Sequence, residues 1–241
     1  MSLVLYSGGH YLDNGALNKA CLDATQKRMP RVTYIPSSSD YGLEDFREFV
    51  TAFEAVRACE FVYFPIDTPF TQEMRGRALE SDLIFLSGGN TFYFLRNLRR
   101  LRLLSELRHA HARGKVIAGL SAGAILLTPN IGTASFPSFD CDENFVNLRN
   151  FAALQLTPFE FFPHYAQSER YKKALMSASR RTRNPIYAAP DGSGLVVSNG
   201  DFRVVGSAHV FHKGHSFSIS KPTRRAPRST EGRVDIELAL T

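Results

Sequence analysis

Near its midpoint the sequence reads Lys115-Val-Ile-Ala-Gly-Leu-Ser-Ala-Gly-Ala124. The apolar run predicts a buried strand, and Gly119-Leu-Ser-Ala-Gly123 predicts a tight turn into a helix that begins near Ala122. This is the G-x-S-x-G pattern of a nucleophile elbow, in which a strained turn exposes a serine hydroxyl at the edge of a sheet. We therefore predict Ser121 as a nucleophile, with a packing turn of small residues as the structural alternative.

Similar apolar runs recur through the first half of the chain, separated by longer amphipathic stretches. Strands are predicted at 3–6, 32–35, 61–64, 83–86 and 116–118, and helices at 14–28, 43–58, 71–80 and 91–113, the last broken near Arg100. Strands that alternate with helices are typical of βαβ units and a parallel sheet. Because the apolar runs are continuous, we expect a three-layer α/β fold with helices on both faces of a mostly parallel central sheet.

The second half has a different pattern. After a predicted helix at 167–179, short strand-like runs follow at 186–189, 195–198, 202–205, 208–212 and 217–220. Asn199-Gly200 lies between two of these runs and is a strong signal for a β-hairpin. We predict a single domain over residues 1–220 with antiparallel hairpins near its C-terminal end, and a basic tail over residues 221–241.

Composition narrows the function classes. The chain has 241 residues, is 44% hydrophobic and 22% charged, and has a formal net charge of +6. This composition excludes a disordered chain. The sequence shows no signal peptide and no apolar run of about 20 residues, so we expect a cytoplasmic protein with no membrane contact. Three cysteines without CxxC spacing argue against a disulfide framework and a zinc site. The basic clusters lack the motifs of nucleic-acid binding and are interpreted as solvated helix faces.

A second motif, Ser87-Gly-Gly-Asn90, ends another predicted buried strand. The carboxyl ends of parallel strands line the active-site crevice of open α/β sheets. The backbone N–H groups of Gly88 and Gly89 are therefore candidates to form an oxyanion hole together with the N–H of Ala122. By itself a Gly-Gly pair is more often an ordinary turn.

A serine nucleophile needs a base, and the base needs an orienting carboxylate. Asp191, in Pro190-Asp191-Gly192 between two predicted strands, is the candidate carboxylate. One assignment takes His164, in an aromatic loop before a predicted helix, as the base. The other follows the chain order of α/β-hydrolases and takes a histidine after Asp191; its candidates are His209, His212 and His215. Residue types and spacing leave both assignments open.

The motifs together resemble the peptidase E (aspartyl dipeptidase) and cyanophycinase family of serine peptidases, over roughly residues 3–214. The segments that carry the resemblance are Ser-Gly-Gly-Asn-Thr-Phe (87–92), Gly-Leu-Ser-Ala-Gly-Ala (119–124), Pro-His-Tyr (163–165), Pro-Asp-Gly (190–192) and Val-Ser-Asn-Gly (197–200). The resemblance implies a class I glutamine amidotransferase-like fold, in which serine replaces the cysteine nucleophile of the amidotransferases.

The resemblance also implies roles for individual residues. Ser121 is the nucleophile and His164 the general base, with oxyanion N–H groups from Gly89 and Ala122. Asp191 stands where the dipeptidase has Glu, so its backbone must come closer to the imidazole by about one methylene group. The implied substrate-binding residues are Gly88, Asn90 and Arg170, where Arg170 lies near an arginine that the family uses for an acidic side chain.

These observations predict a serine peptidase that hydrolyses small peptides through an acyl-enzyme intermediate, with Asp-Xaa dipeptides as one candidate substrate class. No cofactor and no metal is expected, and the expected partner is a small peptide rather than a nucleic acid. The sequence leaves a homodimer open. The alternatives are a non-catalytic binding protein with the amidotransferase-like fold, and an α/β-hydrolase-type esterase.

Overall fold

The computed structural model describes residues 1–40 and 42–220. Within these residues the strands are β1 (Ser2–Tyr6), β2 (Arg31–Ile35), β3 (Glu60–Tyr63), β4 (Leu83–Leu86), β5 (Val116–Leu120), β6 (Glu160–Phe162), β7 (Ile186–Ala188), β8 (Gly194–Ser198), β9 (Asp201–Val205), β10 (Ser207–His212) and β11 (His215–Ser220). The α-helices there are α1 (Gly15–Ala24), α2 (Gly42–Glu54), α3 (Gln72–Leu79), α4 (Thr91–Arg100), α5 (Leu103–Ala112), α6 (Ala122–Leu126) and α7 (Glu169–Ser179). The predicted basic tail, residues 221–241, lies outside the described residues, and the predicted domain boundary at residue 220 stays a prediction.

The strands of the described residues form two sheets. The larger sheet has the strand order β3-β2-β4-β5-β1-β8-β9. Strands β1 to β5 run parallel to one another, and β8 and β9 continue the sheet with antiparallel pairing. The smaller sheet has the order β11-β10-β7-β6, in which β6 and β7 are parallel and the other pairs antiparallel. The predicted mostly parallel sheet is confirmed.

Both faces of the larger sheet are buried. In β1, Leu3 and Leu5 join one apolar cluster, whereas Val4 and Tyr6 join a cluster on the opposite face. Helices α4, α5 and α6 contribute to the first cluster, and α1 and α2 contribute to the second. Successive side chains of a strand point to opposite faces, so a strand covered on both sides requires apolar residues throughout. This explains the continuous apolar runs in the sequence and confirms the expected helices on both faces.

The helices differ from their predicted bounds at their ends. The predicted helix 14–28 is α1, which ends at Ala24, and Gln26 just beyond it has a left-handed φ of 55° that stops the helix. The predicted break near Arg100 is confirmed, because α4 ends there and Arg102, with φ 59°, precedes α5. A residue in the left-handed region interrupts the hydrogen bonds of an α-helix and so ends it. Neither Gln26 nor Arg102 has a residue type that predicts this conformation from the sequence.

The carboxyl ends of the parallel strands determine where the loops with the candidate site residues lie. Strands β4, β5 and β1 are neighbours and parallel, so the segments after Leu86, Leu120 and Tyr6 emerge at the same edge. Strands β6 and β7 are parallel neighbours in the smaller sheet, and their carboxyl ends lead into Pro163 and Ala189. The hairpin predicted at Asn199-Gly200 joins β8 to β9, and both turn residues have positive φ, as a type I′ turn requires.

Candidate active site

The strand-to-helix turn around Ser121 has the strained geometry of a nucleophile elbow. Ser121 lies between β5 and α6 with φ 51° and ψ −109°, outside the regions that a serine ordinarily occupies. Its N–H donates to the carbonyl oxygen of Tyr6 at 3.1 Å. A Cβ on Gly119 would overlap the backbone of Gly123, and a Cβ on Gly123 would overlap the carbonyl of Leu86. Glycine is therefore required on both sides of the serine because the backbones approach so closely.

The smaller sheet supplies the histidine and the carboxylate. His164 follows β6 and Asp191 follows β7, and these two strands are parallel neighbours. The Ser121 hydroxyl lies 2.8 Å from Nε2 of His164, and Nδ1 of His164 lies 2.7 Å from Oδ1 of Asp191. Since a carboxylate only accepts, Nδ1 carries the proton and Nε2 is left as the acceptor for the serine hydroxyl.

The aspartate reaches the imidazole despite its shorter side chain. The turn after β7 approaches the segment after β1, where the N–H of Gly192 donates to the carbonyl oxygen of Gly8 at 3.1 Å. Gly8 has no side chain at this point, and a Cβ there would overlap both Asp191 Oδ1 and the His164 ring. The absence of a side chain at Gly8 thus leaves the space in which the Asp191 carboxylate meets the imidazole. Side-chain exposures of 47% for His164 and 54% for Asp191 leave the pair open to water.

The second predicted motif lies beside the serine. A Cβ on Gly88 would lie 3.7 Å from the Cβ of Ser121, and the carbonyl oxygen of Ser87 accepts the N–H of Gly123 at 3.0 Å. Gly89 has φ 120°, a conformation that L side chains rarely adopt. Ala122 begins α6, so its N–H belongs to the first helical turn and has no acceptor within the helix. The structure therefore brings both predicted oxyanion segments to the serine.

Two predicted substrate-binding side chains are engaged in structural contacts. Asn90 caps α4, accepting from the N–H of Tyr93 at 2.9 Å, and its Nδ2 donates to the carbonyl oxygen of Glu143 at 2.9 Å. Arg170, in the first turn of α7, places its guanidinium carbon 3.5 Å from the ring centre of Phe139. The substrate-binding roles of Asn90 and Arg170 stay predictions.

The segment 139–143 joins the two sides of the site, and sequence reasoning missed it. Tyr171 of α7 donates its hydroxyl to Asp140, which raises the pKa of the phenol to about 12, with burial adding to the shift. At the other end the N–H of Thr91 donates to Asp142 at 2.7 Å, at the start of α4. The segment therefore links α7, just after the His164 loop, with the helix that follows Gly89. Its acidic residues are ordinary loop residues in the sequence and carried no signal.

Ser7 is a second residue that sequence reasoning missed. It is fully buried, accepts the N–H of His164 at 2.7 Å and donates to the carbonyl oxygen of Ala189 at 2.6 Å. The available signal was the tripeptide Ser-Gly-Gly, which occurs both at 7–9 and at 87–89, each time directly after an apolar strand. The repeat marks two equivalent positions at the carboxyl edge of the sheet.

The alternative histidines lie elsewhere. Within residues 1–40 and 42–220, His164 is the histidine that hydrogen bonds to Ser121. His209 lies in β10 against the ring of Tyr165, with its pKa lowered by burial and by the nearby charge of Lys172. His212 and His215 face each other across the β10–β11 hairpin.

Neither a metal site nor a membrane helix is found in the part of the chain that the structure describes. Among these residues no group of three or more His, Cys, Asp and Glu side chains is placed to hold a metal ion. No described helix combines the length and the apolar character that a bilayer span requires. The three cysteines are free.

The fold and the hydrogen-bonded Ser, His and Asp side chains define an α/β protein with the site geometry of a serine hydrolase. The family model of peptidase family S51 matches residues 3–205, and the chain belongs to this family. It is 34% identical over 137 residues to the uncharacterized peptidase Lmo0363 of Listeria monocytogenes, and 29% identical over 147 residues to peptidase E of Escherichia coli O1:K1. The matched regions cover 56% of this chain in both cases, and 65% and 60% of the respective relatives.

A solved structure shares the fold. The crystal structure of a candidate peptidase E from Listeria monocytogenes EGD-e superposes with a TM-score of 0.68 at 25% sequence identity, covering 85% of this chain and 97% of that one. The peptidase E resemblance read from the motifs is thereby confirmed at the level of the family.

Proposed function

We propose that this chain is a serine peptidase that hydrolyses small peptides through an acyl-enzyme intermediate. The observation that carries the proposal is the continuous hydrogen-bonded series from Asp191 through His164 to Ser121, with distances of 2.7 and 2.8 Å. Membership of peptidase family S51 supports the same reaction class. The three side chains come from two sheets, and each follows the carboxyl end of a parallel strand.

Acylation begins with proton transfer from the Ser121 hydroxyl to Nε2 of His164. As the proton moves, Oγ attacks the peptide carbonyl carbon and a tetrahedral oxyanion forms. Asp191 holds the Nδ1 proton, fixes the tautomer and stabilises the imidazolium, without taking up the proton itself. The C–N bond then breaks, the leaving amine takes the proton from Nε2, and the acyl group remains as an ester on Ser121.

Deacylation repeats the same steps with water. His164 takes a proton from a water molecule, the resulting hydroxide attacks the ester carbonyl, and Oγ leaves with the proton from Nε2. The roughly half-exposed His164 and Asp191 side chains are compatible with direct entry of this water.

The oxyanion is held by backbone N–H groups of Gly89 and Ala122 in this proposal. Support comes from the position of the Gly88-Gly89 segment beside Ser121 and from the free first-turn N–H at Ala122. Preorganised donors of this kind typically contribute about 10²–10³-fold to kcat each.

For the substrate we propose small peptides with an acidic N-terminal residue, Asp-Xaa dipeptides among them. The cation is Arg170, six residues beyond His164 along the chain, and Phe139 supports its guanidinium. A guanidinium stacked on an aromatic face keeps its N–H edges free for a carboxylate. The segment 139–143 links α7 to α4. It is proposed to border the site and to limit the length of the bound peptide.

Hydrolysis of a dipeptide library by wild type and Ser121→Ala tests the proposal. We expect wild type to cleave Asp-Xaa members fastest and Ser121→Ala to lose more than about 10⁴-fold in kcat/KM, because the members of a triad act as a unit. Wild type should also react with a fluorophosphonate at Ser121, whereas the variant should not. Urea unfolding of both proteins serves as the control for folding.

The alternatives give different results in the same assay. An inert Ser121 that resists the fluorophosphonate would identify a non-catalytic binding protein. Labelling together with ester but no peptide hydrolysis would favour an esterase. Cleavage of neutral dipeptides at the rate of Asp-Xaa would reject the acidic preference but leave the reaction class intact.

A further inference from the structure

The end of β1 and the residues directly after it form hydrogen bonds at or beside each member of the proposed triad. The carbonyl oxygen of Tyr6 accepts the N–H of Ser121 at 3.1 Å, and the carbonyl oxygen of Gly8 accepts the N–H of Gly192, next to Asp191, also at 3.1 Å. Ser7 lies between Tyr6 and Gly8 along the chain. We propose that Ser7 is a positioning residue, whose buried hydroxyl holds the backbone of His164 in the conformation that aims its imidazole at Ser121. This inference rests on the proposed function.

The Ser7 hydroxyl both donates and accepts a hydrogen bond at this position. Ser7 is 0% exposed, its Oγ accepts the N–H of His164 at 2.7 Å, and it donates to the carbonyl oxygen of Ala189 at 2.6 Å. A hydroxyl has a single proton, and Ser7 donates it to the carbonyl oxygen of Ala189. The lone pairs of the hydroxyl oxygen are therefore left to accept the N–H of His164. One side chain therefore ties the turn that carries the base to the turn that carries the carboxylate.

The backbone of His164 needs such support. Its φ is 55°, in the left-handed region, which is uncommon for residues other than glycine. Residues in sparsely populated regions persist only where their surroundings over-determine them. The next residue is held by the same carbonyl, since the N–H of Tyr165 donates to the oxygen of Ala189 at 2.9 Å. The Ser7 hydroxyl and the Tyr165 N–H thus both donate to the carbonyl oxygen of Ala189, and together they hold the backbone on either side of the His164 Cα.

Removing the hydroxyl has a specific consequence. In Ser7→Ala the His164 N–H loses its acceptor, and the left-handed conformation of His164 loses its hydrogen bond to the segment after β1. A displacement of about 1 Å in a catalytic group can lower a rate by about 10²-fold. The imidazole makes both of its hydrogen bonds within a narrow geometry, so relaxation of its backbone should weaken the contacts with Ser121 and with Asp191.

The chain offers a matched control in Ser179. This serine is also 0% exposed, donates to the carbonyl oxygen of Met176 at 2.9 Å and accepts the N–H of Gly214 at 3.0 Å. It lies at the end of α7 and makes the same pair of bonds as Ser7, but it joins α7 to the β10–β11 turn. Ser179→Ala therefore removes an equivalent buried hydroxyl without touching the triad segments.

The experiment measures the rate constant for labelling of Ser121 by a fluorophosphonate in wild type, Ser7→Ala and Ser179→Ala. Rates are expressed per site labelled at the end point, so molecules that fail to fold do not enter the comparison. We expect Ser7→Ala to label about 10- to 100-fold more slowly and Ser179→Ala to match wild type within about twofold. We also expect the far-downfield proton resonance of the His164 Nδ1–H to shift or broaden in Ser7→Ala alone.

The outcomes separate the two proposals. Wild type that fails to label overturns the proposed function, and the role of Ser7 with it. Wild type that labels, with Ser7→Ala equally fast and its imidazole resonance unchanged, overturns the role of Ser7 alone. Equal slowing in Ser7→Ala and Ser179→Ala also overturns it, because a general loss of packing would then account for the effect.

Discussion

The tripeptide Ser-Gly-Gly occurs twice at the same edge of the sheet, after β1 at 7–9 and after β4 at 87–89. Both serines are buried, Ser7 at 0% and Ser87 at 3% exposure, and the second glycine of each tripeptide has positive φ, 87° at Gly9 and 120° at Gly89. The two segments lie on either side of β5, the strand that carries Ser121. The identical sequence thus has positive φ at the same position of the tripeptide on both sides of the proposed nucleophile.

The two serines differ in what they bind. Ser7 bonds across to the segments after β6 and β7 in the smaller sheet. Ser87 accepts the N–H of Ser37 at 2.8 Å and donates to the carbonyl oxygen of Gly88 at 2.8 Å, so its bonds stay within the loops after β2 and β4. The first segment therefore contacts the loop of the proposed base, and the second contacts the proposed oxyanion loop. The neighbouring strands, rather than the tripeptide itself, determine each role.

The largest expected difference lies at the middle glycines. An added Cβ at Gly8 would overlap Asp191 Oδ1 and the His164 ring, whereas one at Gly88 would lie at an ordinary 3.7 Å from the Cβ of Ser121. We expect Gly8→Ala to slow fluorophosphonate labelling by about 100-fold or more, because the methyl group displaces the imidazole. Gly88→Ala should lose clearly less.

The control for these variants is Gly15→Ala. The added Cβ at Gly15 meets no other atom within 4 Å, and this residue already has helical φ at the start of α1. Its labelling rate should match wild type. Equal losses in Gly8→Ala and Gly88→Ala would show that the two segments act alike, and the comparison would fail.

The sequence predicts the local features of these segments but not their long-range contacts. Local patterns predicted the strands of the larger sheet, the turn at Ser121 and the Asn199-Gly200 hairpin, because each depends on a few consecutive residues. The serine contacts of the first segment could not be predicted in this way. Ser7 is separated from His164 by 157 positions and from Ala189 by 182. Nothing in the tripeptide distinguishes this partner set from that of Ser87.

Local sequence patterns could not predict the smaller sheet, for a related reason. Sequence patterns predicted β7, β10 and β11 as strands but did not separate them from β8 and β9, which continue the larger sheet. Strand β6 has three residues, Glu160–Phe162, too few to show a hydrophobic period, and it was not predicted. Since β6 and β7 carry His164 and Asp191, the residues alone left the base unassigned, and only the family resemblance favoured His164.

A smaller effect is expected at Ser87. In Ser87→Ala the buried N–H of Ser37 loses its acceptor, which should lower the free energy of unfolding by about 1–3 kcal/mol. Labelling should slow less than in Ser7→Ala, because the base side is untouched. The far-downfield imidazole resonance should remain at its wild-type position, as measured by proton NMR. A shift of that resonance would mean that the two Ser-Gly-Gly segments are coupled and not separate supports.

The smallest effect on labelling is expected at Glu160, at the start of the strand that leads to His164. Glu160 is 3% exposed, and its Oε1 accepts from Nδ2 of Asn130 at 2.8 Å and from Nδ2 of Asn184 at 3.0 Å. Burial raises the pKa of this carboxyl, an effect that its hydrogen bonds only partly offset. Glu160→Gln keeps the accepting oxygen and is never ionised, so it isolates the charge.

The sign of the pH effect follows from the raised pKa. The protonated carboxyl is favoured in the folded chain, so its contribution to stability is complete below the ordinary value of 4.5 and is lost as the pH rises through the raised value. Urea unfolding should therefore show wild type losing stability relative to Glu160→Gln across this range, with the labelling rate per site unchanged within about twofold. If Glu160→Gln slowed labelling as much as Ser7→Ala does, contacts at the start of β6 would position His164 as much as Ser7 does. The positioning role would then not be specific to the segment after β1.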